Sequence, residues 1–231
     1  MKPWNFEAWP KVDLHLHLDG SVRPDTLIEL ADQSGIGLPS RDRETVAGLM
    51  RVQGETCGSL REYLDKFRLP LLVLQTPESL QRAAYEVVEQ TGKQNCLYIE
   101  VRFAPQLHRE RGLGVEEVIH HVLEGLKRGE EQFGVKARGI AICMRHHDER
   151  RNAEVIEAAR TFLDRGLVAV DLAGDEAGYP AVLFTEVFRR AKQWDIPVTI
   201  HAGEAAGPQN ILDAVEKLGA RRIGHGVRLK E

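Results

Sequence analysis

The sequence predicts an α/β barrel of alternating strand–helix units, with about six of the eight units of a TIM-type (β/α)8 barrel present in 231 residues. Three observations carry this reading. Short apolar runs alternate with longer stretches of helical periodicity, the pattern of parallel strands joined by crossover helices. Chemistry-bearing residues gather at the C-terminal ends of those runs: His15 and His17, Arg102, Gly174 and Asp175, His201 and Glu204, and His225. An open doubly wound sheet does not easily bring the ends of its first, fifth and sixth strands together, whereas a ring does.

The predicted strands are Lys11 to His17, Cys96 to Ala104, Lys136 to Met144, Val168 to Ala173, Pro197 to His201 and Arg222 to Gly226. The first alternates, so His15 and His17 share one face. Helices are expected over Pro24 to Gln33, with Asp25 and Glu29 near its start, and over Pro77 to Gln94, with Leu80, Ala83, Ala84, Val87 and Val88 on one face. Val115 to Phe133 places Val118, Ile119, Val122, Leu123 and Leu126 at helical spacing. Asn152 to Arg165, Ala181 to Trp194 and Gln209 to Leu218 complete the set, and Glu149-Arg150-Arg151 reads as a solvated helix entry. Residues 36–74 break the alternation; they are expected to add short helices as an insertion that could serve as a lid over the site. No repeat or linker marks a second domain, so residues 1–231 read as a single, incomplete barrel domain.

Composition excludes several functions. Hydrophobic residues are 42% and charged residues 29%, ordinary for a globular protein. A net charge of -4 gives no basic footprint for nucleic acid. No run approaches the ~20 apolar residues of a membrane span, and Met1 to Lys11 lacks the apolar stretch of a secretory leader. A cytoplasmic protein acting on a small molecule is the expectation. Cys57, Cys96 and Cys143 are odd in number and far apart, which argues against a disulfide framework or a thiolate zinc site. The P-C-x-x-C element of cytidine-type deaminases is absent.

The histidines point to a metal. His15 and His17 project together, and His201, ending an apolar run before Ala202-Gly203-Glu204, adds a third imidazole. Glu204 reads either as a helix N-terminal carboxylate or as a general acid whose pKa a dry pocket raises. His225, between Gly224 and Gly226, reads as a fourth ligand or as a base beside the metal. Asp19 favours the turn after the first strand or accepts a substrate hydroxyl. Gly174 makes a tight turn or lets its N–H reach a flat ligand. His146 and His147 are read as solvent-facing, His120 and His121 as solvated or packed, and His108 receives no role.

Together these segments resemble the adenosine deaminase family of the metal-dependent hydrolase superfamily. The matching stretches are KVDLHLHLDG (11–20), YIEVRFAP (98–105), CMRH (143–146), VAVDLAGDE (168–176), HAGE (201–204) and IGHG (223–226). The resemblance implies an eight-stranded barrel with one Zn2+ per chain. It implies hydrolysis of adenosine to inosine and ammonia, a purine-salvage reaction. It makes His15, His17 and His201 zinc ligands, Glu204 the proton donor to purine N1, and His225 the group that orients the attacking water. Gly174 would offer its N–H to N3 and Asp19 would receive the ribose 5′-hydroxyl. Relatives that prefer free adenine carry Glu at the position of Asp19, so this sequence favours the nucleoside.

The family also supplies an Asp-Asp pair at the end of the eighth strand, with one further ligand and a contact to N7; no such pair occurs here. The sequence is therefore expected to be a truncated form of a longer enzyme, with apolar sheet edges exposed. Two other readings stand beside the main one. One is an aminohydrolase of adenine or of a modified adenosine. The other is a catalytically incompetent binding or pairing protein. Oligomeric state is left open.

Overall fold

A computed structural model describes residues 5–52 and 58–230. Cys57 lies outside the described residues. The alternation expected from sequence is present. Strand β1 (Lys11–His17) is followed by α1 (Pro24–Gln33) and then by three short helices, α2 (Arg43–Met50), α3 (Leu60–Leu64) and α4 (Arg68–Val73). Then come α5 (Pro77–Lys93), β2 (Cys96–Phe103), α6 (Val115–Phe133), β3 (Lys136–Met144), α7 (Glu149–Phe162) and β4 (Leu167–Ala173). The chain continues through α8 (Thr185–Gln193), β5 (Thr199–Ala202), α9 (Pro208–Glu216) and β6 (Arg222–His225).

Strands β1 to β4 form a parallel sheet in sequence order, and β5 pairs with β6 in parallel. A parallel bridge from Val170 to Val198, with Val170 N–H donating to Pro197 O at 2.9 Å, joins the two. The strands thus run in sequence order along one curved wall. The curvature brings interior side chains of distant strands together: Arg102 of β2 meets Asp171 of β4, and Arg222 of β6 meets Glu100 of β2. Such crossings belong to a barrel interior rather than to a flat sheet. The helices bury their apolar stripes on the outer face; Val118, Ile119, Val122 and Leu126 of α6 are at most 1% exposed. The outer face of β1 is different, because Val12 and Leu14 are 60% and 43% exposed.

Element boundaries moved where capping overrides periodicity. Helix α7 starts at Glu149, not Asn152, because the Asp148 carboxylate accepts from Arg151 N at 2.8 Å and caps the first turn. It ends at Phe162, and Asp164 then takes a left-handed φ of 61° before β4. The segment expected as one helix from Ala181 divides into a 3-10 turn, Ala181–Phe184, and α8. Residues 36–52 and 58–74 contain the short helices expected of them.

Candidate active site

The C-terminal ends of the strands open into a cavity of about 760 Å³. All seven residues singled out from sequence line it: His15, His17, Asp19, Gly174, His201, Glu204 and His225.

The imidazoles converge at its floor. His15 Nε2 and His17 Nε2 lie 2.9 and 3.1 Å from His201 Nε2. Zinc–nitrogen bonds of ~2.0–2.1 Å in a tetrahedral set place ligand nitrogens about 3.3 Å apart, close to each of the two separations from His201, although His17 is not among the ring nitrogens that all lie within 4.8 Å of one another. His15, His201 and His225 also have ring nitrogens within 4.8 Å of one another. The second reading of His225, as a further ligand, therefore keeps geometric support. Burial, followed by the neighbouring His201 and Arg102, lowers the pKa of His15 to about 3 and holds that of His17 well below its usual value. Both rings are neutral at pH 7, the form that ligates metal. The donor set fits zinc.

Local sequence explains the convergence. β1 delivers two rings because its alternation aims both inward. The His15 ring seats against β6 because position 224 is glycine: a Cβ there would stand 2.7 Å from His15 Cε1. His225 follows with a left-handed φ of 72°, a conformation uncommon for any residue but glycine. Its Nε2 lies 3.5 Å from a Glu204 carboxylate oxygen.

The carboxyl groups differ. The Glu204 pKa is raised, by burial first and by the Glu176 charge against the opposing pull of His201. Burial raises Asp19 to about 6, although Gly20 N–H donates to its Oδ1 at 3.0 Å. Asp171, which sequence reasoning left without a role, is held down to about 2 despite complete burial, by His201 and Arg102. Its Oδ2 lies 3.0 Å from His201 Nδ1 and 2.7 Å from Arg102 Nη1, while Arg102 Nη2 donates to Leu14 O at 2.7 Å. The signal for Asp171 was a lone acid within the apolar run Val168–Ala173, since a buried charge requires a partner.

The remaining walls are apolar. Tyr63, Leu64, Phe67 and Leu71 from the inserted helices face Leu107, Ile142 and Met144. The insertion therefore covers one side of the cavity. His146 is exposed, as read from sequence, and it also lines the cavity. His147 is half-buried rather than solvent-facing, because the turn after β3 folds it inward. His108 is completely buried, its Nδ1 2.8 Å from Leu74 O. His120 and His121 lie apart from the cavity on α6, 3.5 and 3.7 Å from Glu124, the first exposed and the second half-buried.

Known proteins agree with this geometry. Residues 10–231 match the family model for adenosine deaminase. An adenosine deaminase of Clostridium botulinum is 44% identical over 228 residues, covering 98% of this chain and 68% of the relative. One of Clostridium perfringens is 46% identical over 218 residues, covering 94% and 65%. The chain thus spans about two thirds of the length of these relatives. Among solved structures, the adenine deaminase of Arthrobacter aurescens superposes with a TM-score of 0.85 at 29% identity, over 96% of this chain and 66% of that one. An amidohydrolase from Burkholderia ambifaria, solved with bound Zn, gives 0.84 at 26% identity over 96% and 60%. An Arabidopsis ADAL–IMP complex gives 0.82 at 26% identity over 98% and 67%. The resemblance, the barrel and the aminohydrolase reading taken from sequence are borne out, and the chain belongs to the adenosine deaminase family.

Proposed function

We propose that this protein binds one zinc ion and hydrolyses adenosine to inosine and ammonia, a step of purine salvage. The observation that carries the reading is that His15 Nε2 and His17 Nε2 each lie within 3.1 Å of His201 Nε2, in a cavity that also holds Glu204, whose pKa burial raises. His15, His17 and His201 would hold the metal. When bound there, zinc would acidify a water molecule and make it nucleophilic near neutral pH.

The chain's own groups do the rest. Glu204, whose pKa burial raises toward the range of a general acid, gives a proton to N1 and so draws electron density away from C6. His225, 3.5 Å from Glu204, holds the attacking water by hydrogen bond and takes its proton. The proton taken by His225 passes to the amine, which breaks from C6 as ammonia, and the hydroxyl proton left on C6 returns to Glu204 as the carbonyl forms. Gly174 lines the cavity with a φ of 110°, which supports its N–H as the donor to N3. Asp19 accepts the ribose 5′-hydroxyl. The inserted helices, with Phe67 and Leu71, exclude water from the ring. The cytoplasm is the proposed location; Cys96 and Cys143 are free thiols, as in a reducing compartment.

The solved relatives include complexes with IMP and GMP. The described walls of this cavity carry Asp19, Asp175 and Glu204 but neither lysine nor arginine, which disfavours a phosphate. The nucleoside therefore leads over the nucleotide. The test is turnover of adenosine, adenine, AMP and N6-methyl-AMP by the zinc-loaded protein. Adenosine should give the highest kcat/KM by at least about 100-fold. A higher value for adenine or a nucleotide would move the assignment to that substrate.

A further inference from the structure

Four consecutive backbone N–H groups beside the proton donor converge on one side chain. Gly203 N donates to Glu176 Oε1 at 2.6 Å; Glu204, Ala205 and Ala206 N donate to Oε2 at 2.9, 2.7 and 3.0 Å. Glu176 is 1% exposed. Successive N–H groups turned to one side form a concavity for an anion, and here the anion belongs to the chain itself. Gly203 makes the turn with a φ of +70°, and a Cβ at that position would lie 2.5 Å from Ile211 Cδ1. Charge-assisted bonds of this kind are roughly twice as strong as neutral ones.

The connection spans two loops of the site. Gly174, Asp175 and Glu176 leave β4 in succession, so Glu176 ties the loop of Gly174 to the loop of Glu204. Arg145, itself 1% exposed, adds a parallel tie by donating to Tyr179 O and, at 2.7 Å, to His201 O. Glu176 and Arg145 do not themselves line the cavity.

We propose that Glu176 is a positioning residue. It holds the Gly203–Ala206 backbone so that the Glu204 carboxyl and the Gly174 N–H keep one fixed separation across the purine. Its kinetic consequence rests on the deaminase reading; its structural consequence rests on the four hydrogen bonds alone.

The test uses Glu176→Gln and Glu176→Asp in the zinc-loaded protein. Gln keeps the shape of the side chain but sets an NH2 group, or a single neutral oxygen, where several donors need an anion. A misplacement of about 1 Å costs on the order of 100-fold in rate. For E176Q, kcat for adenosine should fall about 100-fold while KM changes by less than about threefold. Zinc content should stay as in the unsubstituted protein. The amides of 203–206 should exchange with D2O at least about tenfold faster. E176D keeps the charge with a shorter reach and should restore kcat to within about tenfold of the unsubstituted protein. If E176Q does not fold, E176D carries the test through the exchange at 203–206, which its shorter reach should still make at least about threefold faster than in the unsubstituted protein.

Three results would overturn the proposal: kcat within about threefold in folded E176Q, loss of kcat in proportion to loss of zinc, or unchanged exchange at 203–206. No turnover by the unsubstituted zinc-loaded protein would refute the deaminase reading instead, and the exchange at 203–206 would still decide the positioning.

Discussion

Asp171 holds His201 by its Nδ1, with Oδ2 at 3.0 Å, and the same carboxylate anchors Arg102 at 2.7 Å. The contact fixes the tautomer with Nδ1 protonated and turns the Nε2 lone pair toward His15 and His17. Asp171 and Arg102 are 0% and 2% exposed, so neither charge has water as an alternative partner.

Asp171→Asn should act on metal and stability together. Loss of such a carboxylate behind a ligating histidine weakens metal binding about 10- to 100-fold. The buried guanidinium left without its counter-charge should cost about 3 kcal/mol of stability. Competitive zinc titration and urea unfolding measure the two effects.

Glu204→Gln should separate chemistry from binding. The amide cannot supply a proton to N1, so kcat should fall about 100- to 10,000-fold. Zinc content should not change, because Glu204 is not among the three proposed ligands. Steady-state kinetics beside metal analysis checks both.

Gly224→Ala should damage the site without altering any proposed ligand. The new Cβ would stand 2.7 Å from His15 Cε1, and the ring can yield only by leaving its position near His201. Zinc affinity should drop at least about tenfold, with a native circular dichroism spectrum. Unchanged zinc affinity would show that His15 is not a ligand.

His108 supplies a pH dependence outside the metal site. Burial lowers its pKa from 6.5 to about 4, against the hydrogen bond to Leu74 O. Between those values the unfolded chain binds the proton and the folded one does not, so stability falls as pH drops from about 6.5 to about 4. The difference is about 3 kcal/mol. His108→Asn keeps an N–H for Leu74 O and removes the titration. Urea unfolding at pH 7 and pH 4 should show the unsubstituted protein losing about 3 kcal/mol more than the variant.

What could be read in the sequence was what periodicity and punctuation encode. The β1 histidines, His201 and His225 stood out because period-two alternation and flanking glycines place them at strand ends. Asp171 was passed over because its pattern is that of any strand position; only the cost of burying a charge marks it. Glu176 has backbone amides as partners, and these leave no trace in a side-chain pattern. The wall formed by Tyr63, Phe67 and Leu71 depends on how α3 and α4 fold across the barrel mouth, a long-range outcome. His108 sits in the charged run His108-Arg109-Glu110-Arg111, and the turn after β2 points it inward against that local polarity.

The most direct test is titration of the metal-free protein with zinc while following inosine and ammonia formation from adenosine. The account predicts activity that rises linearly and breaks at one equivalent, and that His201→Ala abolishes. Turnover independent of zinc, or none once one equivalent is bound, would contradict it.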